Sequence, residues 1–234
     1  MAITDEVLEV QSLELLSDTQ TELHHALSAF GGRQSEGLLE GYRFYTASHI
    51  NLAAEGYIYL RKSERIDASK HLIRTAIEAV IRLRAVQKKP QLLFRIAFTE
   101  FNEDKKWARS LLEREVSGAI TAIENKWTDF KQAYQTKYPE PPLVEEELSL
   151  RGAAECAGIE LERYYDSAYR LYCRYTHAAL RATSGSLNKF DRHDNRTMTL
   201  CALGGVDTLV SIGAPAPNIE SLLERLGCLG ETMK

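Results

Sequence analysis

The six prolines of this chain fall at only three places: Pro90, the cluster Pro139, Pro141 and Pro142, and the pair Pro215 and Pro217. Two tracts, Met1 to Lys89 and Leu143 to Ala214, therefore lack the residue that costs a helix interior about 3 kcal/mol. Within them apolar residues recur at spacings of three and four, and no stretch alternates with β-branched enrichment. The spacing predicts an all-α protein.

Helices are expected over residues 4–16 and 17–30, divided by Ser17 and Gln20 as a capping box and stopped by Gly31-Gly32. Others are expected over 35–62, 67–89, 91–112, 117–138, 149–157 and 160–183, with Pro90 opening the helix over 91–112 and Ser117-Gly118 marking a soft break before the next. A polar loop over 184–195, a helix around 197–212 and a last helix capped by Asn218 complete the chain. The Pro/Glu-rich segment 139–147 is the clearest interruption. Amphipathic helices on both sides of it need a partner, so it is read as a loop inside one bundle and residues 1–234 as a single helical domain.

At 234 residues the chain is long enough to bury a core without disulfides or metals, and its 44% hydrophobic and 26% charged residues are those of a folded protein rather than a disordered one. A net charge of -4 argues against a surface coated with positive charge for nucleic acid, although a local basic face survives that total. The four cysteines form no C-x-x-C pair, so no zinc cluster or redox motif is spelled out, and free thiols in a reducing cytoplasm are expected. MAITDEVLEV has acids and no basic run ahead of an apolar core, so no signal peptide is expected. The least polar stretch, Met198 to Pro217, carries Asp207 near its centre, which reads as a buried helix rather than a membrane span.

Chemistry concentrates on the helix expected over 160–183. At 100° per residue Arg163, Arg170, Arg174, His177 and Arg181 fall within an arc of about 60°. Such a stripe either attracts phosphate or is an ordinary solvated face. Arg170 and His177 also satisfy R-x4-6-H, as do Arg43 with His49 and Arg65 with His71. In this the chain resembles HEPN-type ribonucleases, and the resemblance implies an Arg170 that binds the scissile phosphate and a His177 that assists transphosphorylation, without metal. Leu171 stands where that group carries a polar residue.

A second resemblance covers about a third of the chain. The string LRGAAECAGIELERYYDSAYRLYCRYTHAALRATSGSL, within residues 149–187, is similar to the core of a bacterial family of all-helical domains of unknown function, whose pattern runs A-x3-G-x6-Y-x3-Y-x3-S-x3-H. Ala154, Gly158, Tyr165, Tyr169 and His177 match, with Cys173 in place of Ser. The family's R-x-x-x-E pair on an earlier helix corresponds to Arg74 and Glu78. The resemblance implies a HEPN-like bundle. It also sharpens one expectation: Glu78, instead of merely laddering to Arg74 and Arg82 along its own helix, turns inward to form a polar cluster with Arg170 and His177.

Elsewhere, adjacent His24 and His25 diverge by 100° and suit no common metal, while Asp191, His193 and Asp194 are a thin loop candidate for an ion. Tyr42, Phe44, Tyr45, Tyr57 and Tyr59 read as core and groove residues rather than a base-stacking platform. No metal and no cofactor is expected. Three functions fit: a helical interaction or regulatory module, expected as a cytoplasmic homodimer with another protein or RNA as partner and no membrane; a HEPN-like ribonuclease or toxin of host defence; and a small-ligand bundle lined by Glu78, Arg170 and His177. The first leads, because Leu171 breaks the nuclease pattern.

Overall fold

The computed structural model describes residues 4–31, 37–110, 116–140, 143–176, 191–215 and 219–232. Among these no strand occurs, and the protein is an all-α bundle. The helices are α1 (Asp5–Gly31), α2 (Leu38–Lys62), α3 (Ile66–Lys88), α4 (Leu92–Ser110), α5 (Val116–Lys137), α6 (Leu150–Ala157) and α7 (Ile159–Tyr164). A π turn (Tyr165–Tyr169) runs from α7 into α8 (Arg170–Thr176), and α9 (Asp191–Ser211) and α10 (Ile219–Thr232) follow.

The expected break inside the first helix does not exist. Leu8, Ser12, Leu15, Leu16, Thr19, Leu23, Ala26, Leu27 and Phe30 are all buried, an uninterrupted three-four stripe that passes straight through Ser17. Gln20 serves no cap. Its Nε2 donates to Asn51 Oδ1 of α2 at 3.1 Å, while the Ser17 carbonyl accepts from Thr21. Ser117-Gly118 lies in the first turn of α5, within a residue of where that helix was expected to begin, whereas α9 starts at Asp191, inside the stretch expected to be a polar loop. Asn218 lies outside the described residues.

The core forms where α1 packs along α9 and α2 along α3. Ile50, Tyr57, Ile73, Ile77, Ile81, Met198 and Leu209 are fully sealed from water there, each aliphatic side chain contributing about 1.5 to 3 kcal/mol by burial. The α1–α9 approach depends on Gly205, because a Cβ at that position would stand 3.1 Å from Leu23 Cδ1. A smaller cluster of Leu15, Leu203, Leu222 and Leu226 seats α10 on this pair.

Helices α4 and α5 form a hairpin joined by rings. Phe94 and Phe101 each lie about 5 Å from Trp127 (5.1 and 4.9 Å), and Tyr134 continues the run to Tyr138 at 4.9 Å. The stretch after the prolines is strapped onto α4: the buried Leu148 N–H donates to Thr99 Oγ1 at 2.8 Å, and Arg95 donates to the carbonyls of Glu146 and Glu147. Ser149 then caps α6 by accepting from the Gly152 N–H, and Gly158, at φ +119°, turns the chain from α6 into α7.

Candidate functional site

The π turn decides which residues the α7–α8 helix presents. A π turn takes one residue more than an α turn, so the rotation from Arg163 to Arg170 is that of six α residues rather than seven. The two side chains therefore leave the helix about 120° apart, not 20°, and the continuous basic arc expected from the sequence is broken between them. Both arginines are exposed. Among the described residues Arg170 pairs with Asp166 of its own helix, loosely, at 3.9 Å. His177, Arg181 and the side chain of Arg174 lie outside the described residues.

The same turn brings Tyr165 and Tyr169 onto one line, with rings stacked at 5.0 Å and 18°. Tyr169 is thereby buried against α3, and its hydroxyl donates to Glu78 Oε1 at 2.8 Å. Arg74 Nε donates to that same oxygen at 2.9 Å, while its guanidinium carbon sits 5.7 Å from the Tyr169 ring centroid. The resemblance-derived residues Arg74, Glu78 and Tyr169 thus meet in one cluster at the α3–π-turn contact. Burial works against the Arg74 charge, but the neighbouring Tyr169 and Glu78 outweigh it and hold the guanidinium protonated more firmly than usual. Burial first, then the hydrogen bond to Glu78 and the presence of Cys173, pushes the Tyr169 phenol well above its ordinary range.

Glu78 does turn toward the other helix, yet its partner there is Tyr169 and not Arg170. Consecutive residues diverge by about 100°, so burying Tyr169 sends Arg170 outward, where its side chain is 68% exposed. The expected ladder from Glu78 to Arg82 is also replaced, since Arg82 reaches across to Glu100 of α4 at 3.1 Å.

A second polar cluster lies deeper, one turn earlier on α3. Lys70 Nζ stands 3.8 Å from Asp194 Oδ2, with both side chains at most 2% exposed. Tyr172 donates to Asp194 Oδ1 at 2.5 Å, Tyr57 donates to Asn195 Oδ1 at 2.7 Å, and Asn195 Nδ2 donates to Ser12 Oγ at 2.9 Å. Arg61 pairs with Glu9 beside them. Burial, followed by the Asp194 charge, drives the Tyr172 phenol far up.

Sequence reasoning missed most of this cluster and misplaced Asp194 as a loop ligand for an ion. The signal was present: Lys70 falls in register with Ile73, Ile77 and Ile81, so a lysine sits on an apolar stripe. Asp194 is a helical residue committed to Lys70 and Tyr172. His24, His25 and His193 are exposed. Among the described residues no group of three His, Cys, Asp or Glu side chains is placed to hold a metal ion.

Two clefts open elsewhere. One, of about 660 Å³, lies between α2, α4 and α5 and is lined by Tyr42, Tyr45, Glu100, Phe101 and Trp127 among others; the second, of about 830 Å³, lies near Arg84, Lys88, Gly158 and Asp207. Neither is lined by Glu78 or Arg170. Tyr57 is core and Tyr42 and Tyr45 line a groove as expected, whereas Tyr59 is exposed.

Residues 43–195, well over half of the chain, match a family described as "Family of unknown function (DUF5677)". The chain belongs to the DUF5677 family. No curated protein and no solved structure matches it. The DUF5677 region runs from Arg43 in α2 to Asn195 in α9 and so contains both clusters, with only Glu9 and Ser12 of the deeper one contributed from outside by α1. No helix of the described DUF5677 chain is long and apolar enough to cross a membrane.

Proposed function

We propose that the protein is a helical interaction or regulatory module, working in the cytoplasm as a homodimer, whose partner is another protein or RNA. The observation that carries this reading is the engagement of Arg74, Glu78 and Tyr169 with one another. One carboxylate oxygen takes both donors, and the guanidinium covers the ring, so the cluster holds a shape rather than offering a poised acid or base. The four free cysteines Cys156, Cys173, Cys201 and Cys228 suit a reducing compartment. The 68% exposure of Arg170 favours the alternative of a HEPN-like, metal-independent ribonuclease or toxin, since its guanidinium is open to a phosphate.

One experiment separates the two. Wild type, Arg170→Ala and His177→Ala are expressed in parallel, with growth and total RNA integrity followed. A module leaves RNA intact in all three strains. Growth arrest with RNA cleavage by wild type, abolished by His177→Ala in a protein that still folds, replaces the module with the nuclease.

A further inference from the structure

Large apolar side chains on the surface of α2 are not scattered. Tyr45, Leu52 and Tyr59 are 68%, 62% and 69% exposed and stand at seven-residue intervals. Seven residues bring a helix round to within about 20° of its starting direction, so the three form one seam along the helix, on the side turned away from the buried Ala47, Ile50, Ala54 and Tyr57. A solvent-facing helix surface normally carries charge at such positions.

The seam has a second property: its three large side chains, Tyr45, Leu52 and Tyr59, read the same in both directions. With Leu52 as centre, Tyr45 and Tyr59 are equidistant from it, as are His49 and Glu55, and Ser48 and Gly56. We infer that α2 is the interface of a homodimer, in which two copies of the helix pair antiparallel about a two-fold axis at Leu52. Leu52 meets the second copy's Leu52, and each Tyr45 meets the second copy's Tyr59. Between them lies a layer in which Ser48 and His49 of one copy face Glu55 and Gly56 of the other. The exposed His49 imidazole and the exposed Glu55 carboxylate share the layer and can hydrogen-bond across it, while Gly56 is the position where α2 lies against Leu72 of α3 in its own chain. A parallel pairing would instead set His49 against His49 and Glu55 against Glu55. This is the observation that names a second copy, and not an unrelated helix, as the occupant: an isologous contact demands self-complementarity, and the exposed face of α2 has it in the placing of Tyr45 and Tyr59 about Leu52 and of a donor, His49, opposite an acceptor, Glu55. Within its own chain His49 also lies near Glu100, which Arg82 already holds.

The seam buries, with its flanks, on the order of 1,000 Å² over both copies, at the lower end of specific interfaces, so the dissociation constant is expected in the micromolar range. The inference deepens the homodimer part of the function proposed above, and the experiment keeps the two apart. Mass is measured by sedimentation equilibrium for the full chain at tens of micromolar, with helix content checked by circular dichroism. Wild type is expected to be dimeric and Leu52→Glu monomeric with unchanged helicity, since the side chain is on the surface. His49→Glu is expected to weaken the dimer roughly tenfold, and the double variant His49→Glu with Glu55→Lys to return to within about threefold of wild type, because a donor again faces an acceptor in the layer. A monomeric wild type overturns both the dimer and its interface. A dimer that survives Leu52→Glu, or a double variant no tighter than His49→Glu alone, overturns the α2 interface and leaves dimerisation standing.

Discussion

Lys70 Nζ lies 3.8 Å from Asp194 Oδ2 inside the bundle, and neither side chain exposes more than 2% of its surface. Two buried charges of opposite sign compensate one another only as a pair, so the cost of removing one differs sharply from the cost of removing both.

Asp194→Ala leaves the Lys70 ammonium and the Tyr172 hydroxyl without their shared acceptor. The loss is expected at about 3 to 5 kcal/mol in urea unfolding. The double variant Lys70→Met with Asp194→Leu should recover much of it. If the double variant is as unstable as the sum of the singles, the pair is not coupled as described.

Glu78 and Tyr169 are tied by a hydrogen bond in a partly exposed place, so effects there are smaller. Tyr169→Phe should cost about 1 to 2 kcal/mol, and Glu78→Gln a similar amount, since water screens part of the ion pair with Arg74. In a double-mutant cycle the two should couple by at least about 0.5 kcal/mol. Strict additivity counts against the 2.8 Å contact.

Alkaline pH should unfold the protein cooperatively. Burial raises the phenols of Tyr42, Tyr164, Tyr169 and Tyr172 above their ordinary value of 10.0 and the Cys201 thiol from 9.0 to about 12. An acid whose folded value is raised keeps its proton in the native state while the unfolded chain loses it. Stability is therefore unaffected below about pH 9 and falls as pH rises through 9 and 10 toward the folded values. Absorbance of these buried tyrosinates should appear only together with loss of helical ellipticity; their titration in a fully helical protein contradicts the burial.

Proteolysis within Pro139 to Pro142 should leave two fragments that stay associated on gel filtration. The chain beyond is anchored to α4 by Leu148 with Thr99 and by Arg95, and Leu148, Ala153 and Ala154 belong to the same core as Ile77 and Met198. Fragments that separate and refold alone mean two domains.

The fold was legible because helix signals are local: proline placement and three-four spacing found α2, α3, α4, α5 and α6 to within a few residues. The failures share a cause. The break inside α1 rested on a capping pattern that tertiary contacts override, Gln20 being used by Asn51. At the site, pairing Arg74 with Glu78 needed only the i, i+4 rule, whereas Tyr169 took the place expected of Arg170 because the register of α7–α8 depends on a π turn, which no periodicity reveals beforehand. Lys70 was readable from its place on the apolar stripe, but its partner Asp194, more than a hundred positions away, was not.

The π turn can also be described as slack. Helix α7–α8 holds one residue more than its two packed ends require, and the surplus is taken up where Asp166 and Ser167 face solvent. Removing Ser167 would let the turn close into an ordinary α turn with Tyr164 and Tyr172 still directed at the core. Chain length here is thus a loose quantity, while facing is a tight one. A motif defined by counting residues through this helix counts one too many.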